Sequence, residues 1–267
     1  MNEIVAVIPA AGSGTRMLPF TLASPKELYP INKKAVIEHV IEGIHNYMEI
    51  NKIFVIVSEH KGAVMDYLGN GSRLNKGCLN LAYLFQEERK GLAHAIYQAK
   101  PWVRNDFVVF AADTFIEPKN ELTKLTKFHQ ENNNLVTILV KEVKDPTPYG
   151  IIKFDKNYNL IDAIEKPTME QAKPFMNSNG MYYSVIPIYM FGTKIFEYIE
   201  KTNPGHKGEL QITDSIILAH NNGEKIQTIP IEGQCMDCGN WNEIDNVEKY
   251  FKNINKEEER GNLLWLD

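Results

Sequence analysis

Hydrophobic and polar positions follow two alternating patterns along the first half of the chain, short apolar runs and apolar residues at helical spacing. Short apolar runs rich in β-branched residues predict strands at residues 4–9, 52–58, 81–86, 107–112 and 135–143. Between these runs, apolar side chains recur at helical spacing in residues 35–48, 91–103 and 122–131. This alternation predicts an α/β fold with a Rossmann-like, mixed but mostly parallel sheet flanked by helices.

The pattern changes after residue 143. Residues 150–155 and 160–165 flank a polar turn and predict a β-hairpin inserted into the α/β scheme. Further along, the spacing predicts a strand at 181–191, helices at 194–201 and 210–221, a strand at 225–231 and a closing helix at 240–254. No linker or internal repeat interrupts the chain, so we expect residues 1–267 to form a single domain.

Composition narrows the classes of function. The 267 residues are 43% hydrophobic and carry a net charge of -5, which gives no basic field for nucleic acid or an anionic membrane. No apolar stretch approaches the roughly 20 residues of a membrane span, and the first residues lack a basic region followed by an apolar one. Three cysteines make no disulfide framework, so we expect a cytoplasmic protein.

The stretch AAGSGTRMLPFTLASPKELYP, residues 10–30, follows the first predicted strand. Its Gly12-x-Gly14 would suit a dinucleotide fold, but the place of the third glycine holds Met17, which disfavours a dehydrogenase. The glycine and lysine spacing of a Walker loop is also absent. Glycines that expose backbone N–H groups, with the charges of Arg16 and Lys26, suit a polyphosphate, and three prolines stiffen the loop.

The same stretch resembles the sugar-1-phosphate nucleotidylyltransferase family, and within it the bacterial UTP:glucose-1-phosphate uridylyltransferase branch. The resemblance covers nearly the whole chain. It continues through these further segments: Gln86, Gly91-Leu92-Ala93-His94-Ala95, Ala112-Asp113, Tyr149-Gly150-Ile151, Glu165-Lys166-Pro167, Ser178-Asn179, Gly208-Glu209-Leu210-Gln211-Ile212-Thr213-Asp214 and Met236-Asp237-Cys238-Gly239.

The resemblance implies that a sugar 1-phosphate attacks the α-phosphorus of a nucleoside triphosphate and releases pyrophosphate, with Mg²⁺ as cofactor. It favours UTP and glucose 1-phosphate as substrates and UDP-glucose as product. A phosphate monoester has a second pKa near 6 and is mostly dianionic at pH 7, so no general base is required. Such a site must hold two anions in line and neutralise the charge that develops on the leaving pyrophosphate.

The resemblance also assigns roles residue by residue. The triphosphate would lie on the 10–15 loop and Arg16, with Lys26 near the α-phosphate, while Gln86 and Gly91 would read the base. The implied nucleotide-binding residues are Ala10, Ala11, Gly12, Gly14, Thr15, Gln86 and Gly91. The implied catalytic residues are Arg16, Lys26 and Lys166, and the implied Mg²⁺ ligands are Asp113 and Asp237.

On the sugar side, the resemblance implies that Lys166 clamps the sugar phosphate, Glu165 accepts hydrogen bonds from sugar hydroxyls, and Gly150 lets the backbone approach. Asn179 completes the implied sugar-binding set. The single domain would then divide into a nucleotide-binding half at 1–143, a sugar-binding half at 144–239, and a C-terminal helix and tail at 240–267.

Four departures from the family pattern affect substrate choice. Ala112 and Thr114 replace the usual neighbours of Asp113, and Pro187 stands where a glycine is expected. The segment 59–80 is shorter than in the uridylyltransferase branch. His94 matches that branch but is also a plausible first-turn helix residue. A thymidylyltransferase that uses dTTP therefore stays an alternative, as does a non-catalytic paralogue that senses nucleotide sugars.

Cys235 and Cys238 flank Asp237 in a Cys-x-x-Cys spacing. The spacing suits a redox pair or half of a zinc site, with Cys78 as a third ligand, but no second Cys-x-x-Cys is present. Buried thiols beside a metal-binding aspartate are the favoured interpretation, with the hypothesis that a disulfide between them would reduce activity. The apolar Leu263-Leu264-Trp265-Leu266 could dock on the core or on a second subunit, and we expect a homo-oligomer, a dimer or tetramer.

Overall fold

The computed structural model describes residues 3–74, 79–205 and 208–263. Its strands, in chain order, are β1 (Val5–Pro9), β2 (Pro30–Ile31), β3 (Lys34–Ala35), β4 (Lys52–Val57), β5 (Asn80–Phe85), β6 (Phe107–Phe110), β7 (Thr114–Glu117), β8 (Val136–Val143), β9 (Gly150–Phe154), β10 (Leu160–Glu165), β11 (Tyr182–Phe191), β12 (Ile226–Pro230) and β13 (Gln234–Asp237). Its α-helices are α1 (Val36–Met48), α2 (Gly62–Leu68), α3 (Leu92–Tyr97), α4 (Thr123–Asn132), α5 (Met169–Ala172), α6 (Ile195–Lys201), α7 (Ile212–Asn221) and α8 (Trp241–Leu263).

A nine-stranded mixed sheet forms the centre of the molecule. Strands β6, β1, β4 and β5 are neighbours and run parallel, and β12 pairs with β8 in parallel. The long strand β11 runs antiparallel to β6, β8 and β9 and joins the two parts. Because β1, β4, β5 and β6 run in one direction, the loops that follow them meet at one rim of the sheet.

Helices cover both faces of the sheet. On one face, Ala6 and Ile8 pack in a core with the apolar side of α1 and with Ile244 and Val247 of α8. On the other face, Val7 packs in a core with side chains of α3, α6 and α7. Alternate residues of β1 thus enter two different cores, which explains its unbroken apolar sequence.

The predicted α/β fold with a mixed sheet is confirmed, and the hairpin lies at β9 and β10. The hairpin belongs to the main sheet, since Tyr183 of β11 pairs with Ile152 of β9. The predicted helix at 91–103 is too long. Helix α3 ends at Tyr97, and tight turns follow, because the residue before Pro101 is disfavoured in helical conformation.

The sequence pattern missed the two strands of a small antiparallel sheet, β7 and β13. Residue 113 does not end the strand predicted at 107–112, because β6 stops at Phe110 and the chain turns before β7 begins. Asp237 is the last residue of β13, where it pairs with Thr114. Two expectations fall outside the described residues: the role of Cys78, and the docking of the apolar tail at 264–266. Within the described ranges, no helix has the length and apolar character needed to cross a membrane.

Candidate active site

The loop after β1 is folded so that several of its backbone donors are unused. Gly14 has φ +68°, and a Cβ there would lie 2.8 Å from Cγ2 of Thr21, so both conformation and space require glycine. Thr21 Oγ1 donates a 2.9 Å hydrogen bond to the Gly14 carbonyl and pins the loop. Among the described residues, the N–H groups of Gly12, Ser13 and Thr15 donate to no protein acceptor. Such groups are available to an anion.

Cavities open at this rim, and we call two of them the inner and the outer cavity. The inner cavity has a volume of about 400 Å³ and lies between the 10–30 loop, Gln86 and the start of α3. The outer cavity has a volume of about 830 Å³ and lies between the β9–β10 hairpin, β11 and the start of α8. Three residues line both cavities: Arg16, Leu92 and Glu209.

An ion pair between Lys26 and Asp113 closes the floor of the inner cavity. Burial alone would raise the pKa of Asp113, but the Lys26 ammonium and the more distant Arg16 hold that pKa below its usual range. Burial would likewise lower the pKa of Lys26, and the charges of Asp113 and Glu27 raise it instead. Both groups are therefore charged at neutral pH.

Asp237 and Glu243 extend this cluster into the outer cavity. Burial and the charge of Asp113 both raise the pKa of Asp237. Burial and the neighbouring Asp237 raise the pKa of Glu243 to about 7. Carboxylates that lie this close disfavour each other's ionised forms, so a cation bound beside them would be stabilised by their negative charge.

The backbone of Gly239 lies between the side chains of Asp113, Asp237 and Arg16. Its N–H donates a 2.7 Å hydrogen bond to Oδ1 of Asp237. A Cβ on Gly239 would lie 2.9 Å from Oδ1 of Asp237, 3.4 Å from Oδ2 of Asp113 and 2.9 Å from Nη2 of Arg16. Two carboxylates and a guanidinium thus converge on one point beside the boundary of the cavities.

This point fits Mg²⁺ better than it fits a metal that the protein alone must enclose. Within the described segments, no group of three or more His, Cys, Asp or Glu side chains is arranged to hold a metal ion. Two aspartates suffice for Mg²⁺, because it retains water and shares phosphate oxygens of the substrate. The oxygens of Asp113 and Asp237 supply that donor type.

One wall of the outer cavity is built around Glu165 at the end of β10. Its Oε2 accepts a 2.8 Å hydrogen bond from Thr213 Oγ1. A Cβ on Gly150 would lie 2.7 Å from the same oxygen, so only glycine allows this approach. Lys166 follows with φ +43°, and its Nζ lies 3.5 Å from Oε1 of Glu165. A lysine held in this conformation is strained, and strain of this kind concentrates at functional sites.

Gln86 and Gly91 line the inner cavity near the start of α3, and His94 contacts Gln86. Nε2 of Gln86 donates a 3.2 Å hydrogen bond to the Gly91 carbonyl and lies 3.0 Å from Nδ1 of His94. Burial lowers the pKa of His94, so the ring is neutral and its Nδ1 can accept that hydrogen bond. Gly91 has φ +100°, and a Cβ there would lie 2.6 Å from the Leu210 carbonyl. His94 thus orients Gln86.

Comparisons with known proteins agree with this geometry. The Nucleotidyl transferase family profile matches residues 5–256. The chain is 32% identical over 246 residues to the bifunctional protein GlmU of Methanocaldococcus jannaschii, covering 92% of this chain and 54% of that protein. It is 32% identical over 260 residues to UTP–glucose-1-phosphate uridylyltransferase 2 of Staphylococcus saprophyticus, covering 88% of this chain and 86% of that protein.

This chain belongs to the nucleotidyl transferase family. A solved structure of UDP-glucose pyrophosphorylase complexed with UDP-glucose superposes with a TM-score of 0.82 at 25% identity, covering 94% of this chain and 99% of that one. The chain spans about half the length of the archaeal GlmU proteins that it matches.

Most residues that the resemblance implied for this transferase lie at the two cavities. The inner cavity is lined by Ala11, Gly12, Arg16, Lys26, Gln86, Gly91 and Asp113. The outer cavity is lined by Thr15, Arg16, Glu165, Lys166 and Asp237, and Gly150 packs against Glu165. Gly14 shapes the loop, and Ala10 is buried beneath it.

The structure does not bring Asn179 to either cavity. Asn179 is exposed, and its N–H donates a 3.0 Å hydrogen bond to Oδ1 of Asn177 in a turn before β11. A turn role therefore explains this residue better than a sugar contact.

Sequence reasoning missed five residues that line or border the two cavities. These residues reach the cavities because distant segments of the chain fold back on them. Three of the five lie in segments that carry the resemblance, and no signal in the sequence pointed to the other two. The five are Arg89, Glu209, Thr213, Gly239 and Glu243.

Neither a redox pair nor a zinc site is supported at Cys235 and Cys238. Both thiols are free, and burial raises the pKa of Cys235 to about 11 and that of Cys238 further. Cys235 lies in β13 and Cys238 directly follows that strand, and in an extended chain their Cα atoms would be separated by about 10 Å. A disulfide needs Cα atoms within about 7 Å. The hypothesis of an inactivating disulfide is therefore disfavoured.

Proposed function

We propose that this nucleotidyl transferase converts UTP and glucose 1-phosphate into UDP-glucose and pyrophosphate, with Mg²⁺ bound by Asp113 and Asp237. The observation that carries the proposal is the meeting of the two cavities at Arg16, beside the two aspartates. A nucleotide in the inner cavity would place its α-phosphate at that meeting point. A sugar 1-phosphate in the outer cavity would reach the same point from the opposite side.

The inner cavity would hold the triphosphate through the loop after β1. The free N–H groups of Gly12, Ser13 and Thr15 face an anion without rearrangement, and Arg16 adds a bidentate donor. Lys26 would turn from Asp113 to the α-phosphate when the substrates bind, before negative charge develops on the leaving pyrophosphate. Positive charge already in place at that moment lowers the barrier.

The outer cavity would hold the sugar phosphate through Lys166, with Glu165 accepting hydrogen bonds from sugar hydroxyls. Thr213 fixes the Glu165 carboxylate and keeps it in one orientation. The phosphate dianion is the nucleophile, so no side chain needs to remove a proton. Holding the two reactants in line supplies most of what this reaction requires.

Mg²⁺, when bound, would neutralise the phosphates and orient them for in-line attack. Asp113 and Asp237 would hold it, and Glu243 would share a proton or a water with Asp237. The Gly239 backbone keeps the space between the two aspartates open. Lys26 balances the charge of Asp113.

The choice of UTP and glucose 1-phosphate is supported by two relatives. The uridylyltransferase of Staphylococcus saprophyticus and the solved UDP-glucose pyrophosphorylase each cover most of this chain. Other sugar 1-phosphates stay alternative substrates, because the chain is also similar to GlmU and departs from the family pattern at Ala112 and Pro187. Single contacts of about 1 to 3 kcal/mol decide such substrate choices.

The test is pyrophosphate release with Mg²⁺ across UTP, dTTP, CTP, ATP and GTP, each against glucose, galactose, mannose and N-acetylglucosamine 1-phosphates. We expect UTP with glucose 1-phosphate to give the highest kcat/KM. A different best pair would retain the mechanism and replace the proposed substrates. If no pair releases pyrophosphate and calorimetry still detects binding of one nucleotide sugar, the protein is a nucleotide-sugar sensor and not an enzyme.

A further inference from the structure

Three aromatic side chains, none of which lines the inner or the outer cavity, join the 10–30 loop to the start of α8. Trp241, the first residue of α8, packs edge-to-face with Tyr29 and with Phe20, at 5.9 Å and 6.5 Å between ring centroids. Phe20 and Tyr29 are themselves edge-to-face at 5.2 Å. Nε1 of Trp241 also donates a 3.0 Å hydrogen bond to the Leu18 carbonyl. We call Phe20, Tyr29 and Trp241 the aromatic cluster.

The stretch of the loop that this cluster holds has no buried side chain of its own. Residues 18–25 are all half-buried or exposed, between the buried Met17 and the ion-paired Lys26. Arg16, two residues before the carbonyl that Trp241 binds, is exposed as well. The contacts of Trp241 therefore tie the part of the loop beside Arg16 to a different segment of the chain.

The other side of the aromatic cluster is attached to the corner that carries Asp237. Trp241 comes four residues after Asp237, and Oδ1 of Asn240 caps α8 by accepting a 3.1 Å hydrogen bond from an N–H in its first turn. The corner is fixed to Asp113 by the ladder between β7 and β13 and by a 2.8 Å hydrogen bond from the Cys238 N–H to the Asp113 carbonyl. Because the corner is anchored in this way, Trp241 determines where the loop lies relative to it.

The relative position of loop and corner matters for a metal ion that joins them. In the proposed function, the loop and Arg16 hold the triphosphate, while Asp237 holds Mg²⁺, which also takes phosphate oxygens as ligands. Mg²⁺ demands near-ideal octahedral geometry with ligands at about 2.0 to 2.1 Å, so phosphates displaced by about 1 Å would not serve as ligands.

We propose that Trp241 is a positioning residue that keeps the triphosphate-binding loop in register with Asp237 and thereby couples nucleotide binding to Mg²⁺ binding. The inference rests on the proposed function, because it uses the assignment of the loop to the triphosphate and of Asp237 to the metal. Trp241 itself contacts neither substrate. Its effect is transmitted through the Leu18 carbonyl and through the rings of Phe20 and Tyr29.

Two variants and a matched control separate this role from a purely structural one. Trp241→Phe keeps an aromatic ring against Phe20 and Tyr29 but removes the N–H donor, whereas Trp241→Leu removes both. Trp102→Leu is the control, since Trp102 is 59% exposed and lines neither cavity. Calorimetry measures the Kd of UTP with a chelator and with saturating Mg²⁺, and the ratio of the two Kd values gives the coupling. Thermal unfolding measures whether each variant folds.

We expect Mg²⁺ to tighten the binding of UTP to the wild type, and Trp241→Leu to reduce this gain about 10-fold, a usual size for coupling between two ligands. The Kd of UTP without Mg²⁺ should change much less, because that measurement does not involve Asp237. Trp241→Phe should be intermediate, and Trp102→Leu should keep the wild-type ratio. The kcat of Trp241→Leu should fall about 10- to 100-fold, as for a small misplacement of reacting groups.

A lower Tm of Trp241→Leu with an unchanged ratio of Kd values would show that the aromatic cluster only stabilises the fold, which overturns the inference. If Trp241→Leu does not fold, the ratio measured for Trp241→Phe decides in the same way.

Failure of the proposed function is visible in the wild type. If another nucleotide binds in place of UTP, the same ratio is measured with that nucleotide, because the coupling concerns its triphosphate and not its base or the sugar substrate. If Mg²⁺ changes the wild-type affinity for none of the five nucleotides, the metal site of the proposed function is contradicted. The role of Trp241 is then overturned as well, before any variant is compared.

Discussion

Lys166 adopts a backbone conformation that lysine rarely adopts. With φ +43° it follows directly after β10, and its N–H donates a 2.9 Å hydrogen bond to the Tyr149 carbonyl. That bond, together with Pro167, holds the residue against its intrinsic preference and keeps the ammonium at the outer cavity.

Replacing Lys166 with alanine should remove the cation that the proposed function assigns to the sugar phosphate. We expect kcat/KM for glucose 1-phosphate to fall about 100- to 1,000-fold, the usual effect of removing a preorganised donor, with KM for UTP nearly unchanged. Initial-rate kinetics with each substrate varied in turn measure both effects. Lys156→Ala, in the exposed turn of the same hairpin, is the matched control. Equal losses for the two variants would contradict the role of Lys166.

Gly239 is a second residue whose role depends on space. A Cβ would lie 2.9 Å from both Nη2 of Arg16 and Oδ1 of Asp237, which is too close for either to stay in place. We expect Gly239→Ala to reduce kcat at least about 10-fold and to raise the Mg²⁺ concentration that gives half-maximal rate. Activity measured across Mg²⁺ concentrations tests this.

The matched control for that variant is Gly62→Ala, because a Cβ at Gly62 meets nothing within 4 Å. This substitution should leave activity unchanged, and it stabilises a helix start by reducing the freedom of the unfolded chain. If Gly239→Ala has wild-type activity and Mg²⁺ dependence, Gly239 does not keep the aspartates apart.

At the scale of elements, the sequence predicted the parallel part of the sheet because each of those strands has a strong local signal. Strand β1 reads as an apolar run, and the glycines and charges that follow it are contiguous in the chain. The hairpin at β9 and β10 was equally readable, since a polar turn separates two alternating segments.

The pairing of β7 with β13 could not be predicted in the same way. The two strands have four residues each and lie more than a hundred residues apart, so no local pattern links them. This long-range ladder, rather than the ends of two adjacent sheet strands, brings Asp237 close to Asp113. A Cβ on Gly239 would lie within 3.4 Å of both aspartates, and their role as Mg²⁺ ligands stays a prediction of the resemblance. Glu243 and Gly239 became apparent only once α8 was placed beside them.

The packing of α4 against β8 buries a titratable group far from the cavities. Nδ1 of His129 lies 2.9 Å from Oγ1 of Thr137, while Nε2 has no hydrogen-bond partner among the described residues. The nearest carboxylate oxygen, on Asp106, is 3.8 Å from Nε2, which is beyond hydrogen-bond distance. Burial lowers the pKa of His129 to about 4 from an ordinary value of 6.5.

The sign of the resulting pH dependence follows from proton counts. Between pH 6.5 and 4 the unfolded chain binds a proton at His129 that the folded chain does not, so acid favours unfolding. Between pH 7 and 5 this should cost about 2 kcal/mol of unfolding free energy. Urea unfolding of the wild type and of His129→Gln measures the difference. If the unfolding free energies of the two proteins differ by the same amount at every pH in this range, His129 is not buried as a neutral ring.

At the scale of the whole molecule, the two cavities share walls and open toward one another. Arg16, Leu92 and Glu209 line both, and the charged cluster lies at their boundary. This arrangement needs one polypeptide only. The expected homo-oligomer therefore stays a prediction, and nothing at the described site depends on a second subunit.

Because the two cavities share walls, both substrates can be bound at the same time, which bears on whether the transfer takes one step or two. Direct transfer requires both substrates to be bound at once, whereas a two-step route requires a side chain that carries the nucleotidyl group. The thiols near the cluster are poor candidates for a carrier, because burial raises the pKa of Cys235 to about 11 and that of Cys238 further, so both stay protonated at neutral pH.

We therefore expect sequential kinetics: double-reciprocal plots against UTP at several fixed glucose 1-phosphate concentrations should intersect. Labelled pyrophosphate should exchange into UTP only when a sugar 1-phosphate or nucleotide sugar is present. Parallel lines, together with exchange in the absence of sugar, would require a covalent nucleotidyl-enzyme. In that case the meeting of the two cavities would serve two separate half-reactions instead of one displacement, and the residue that carries the nucleotide would have to be found at their shared wall.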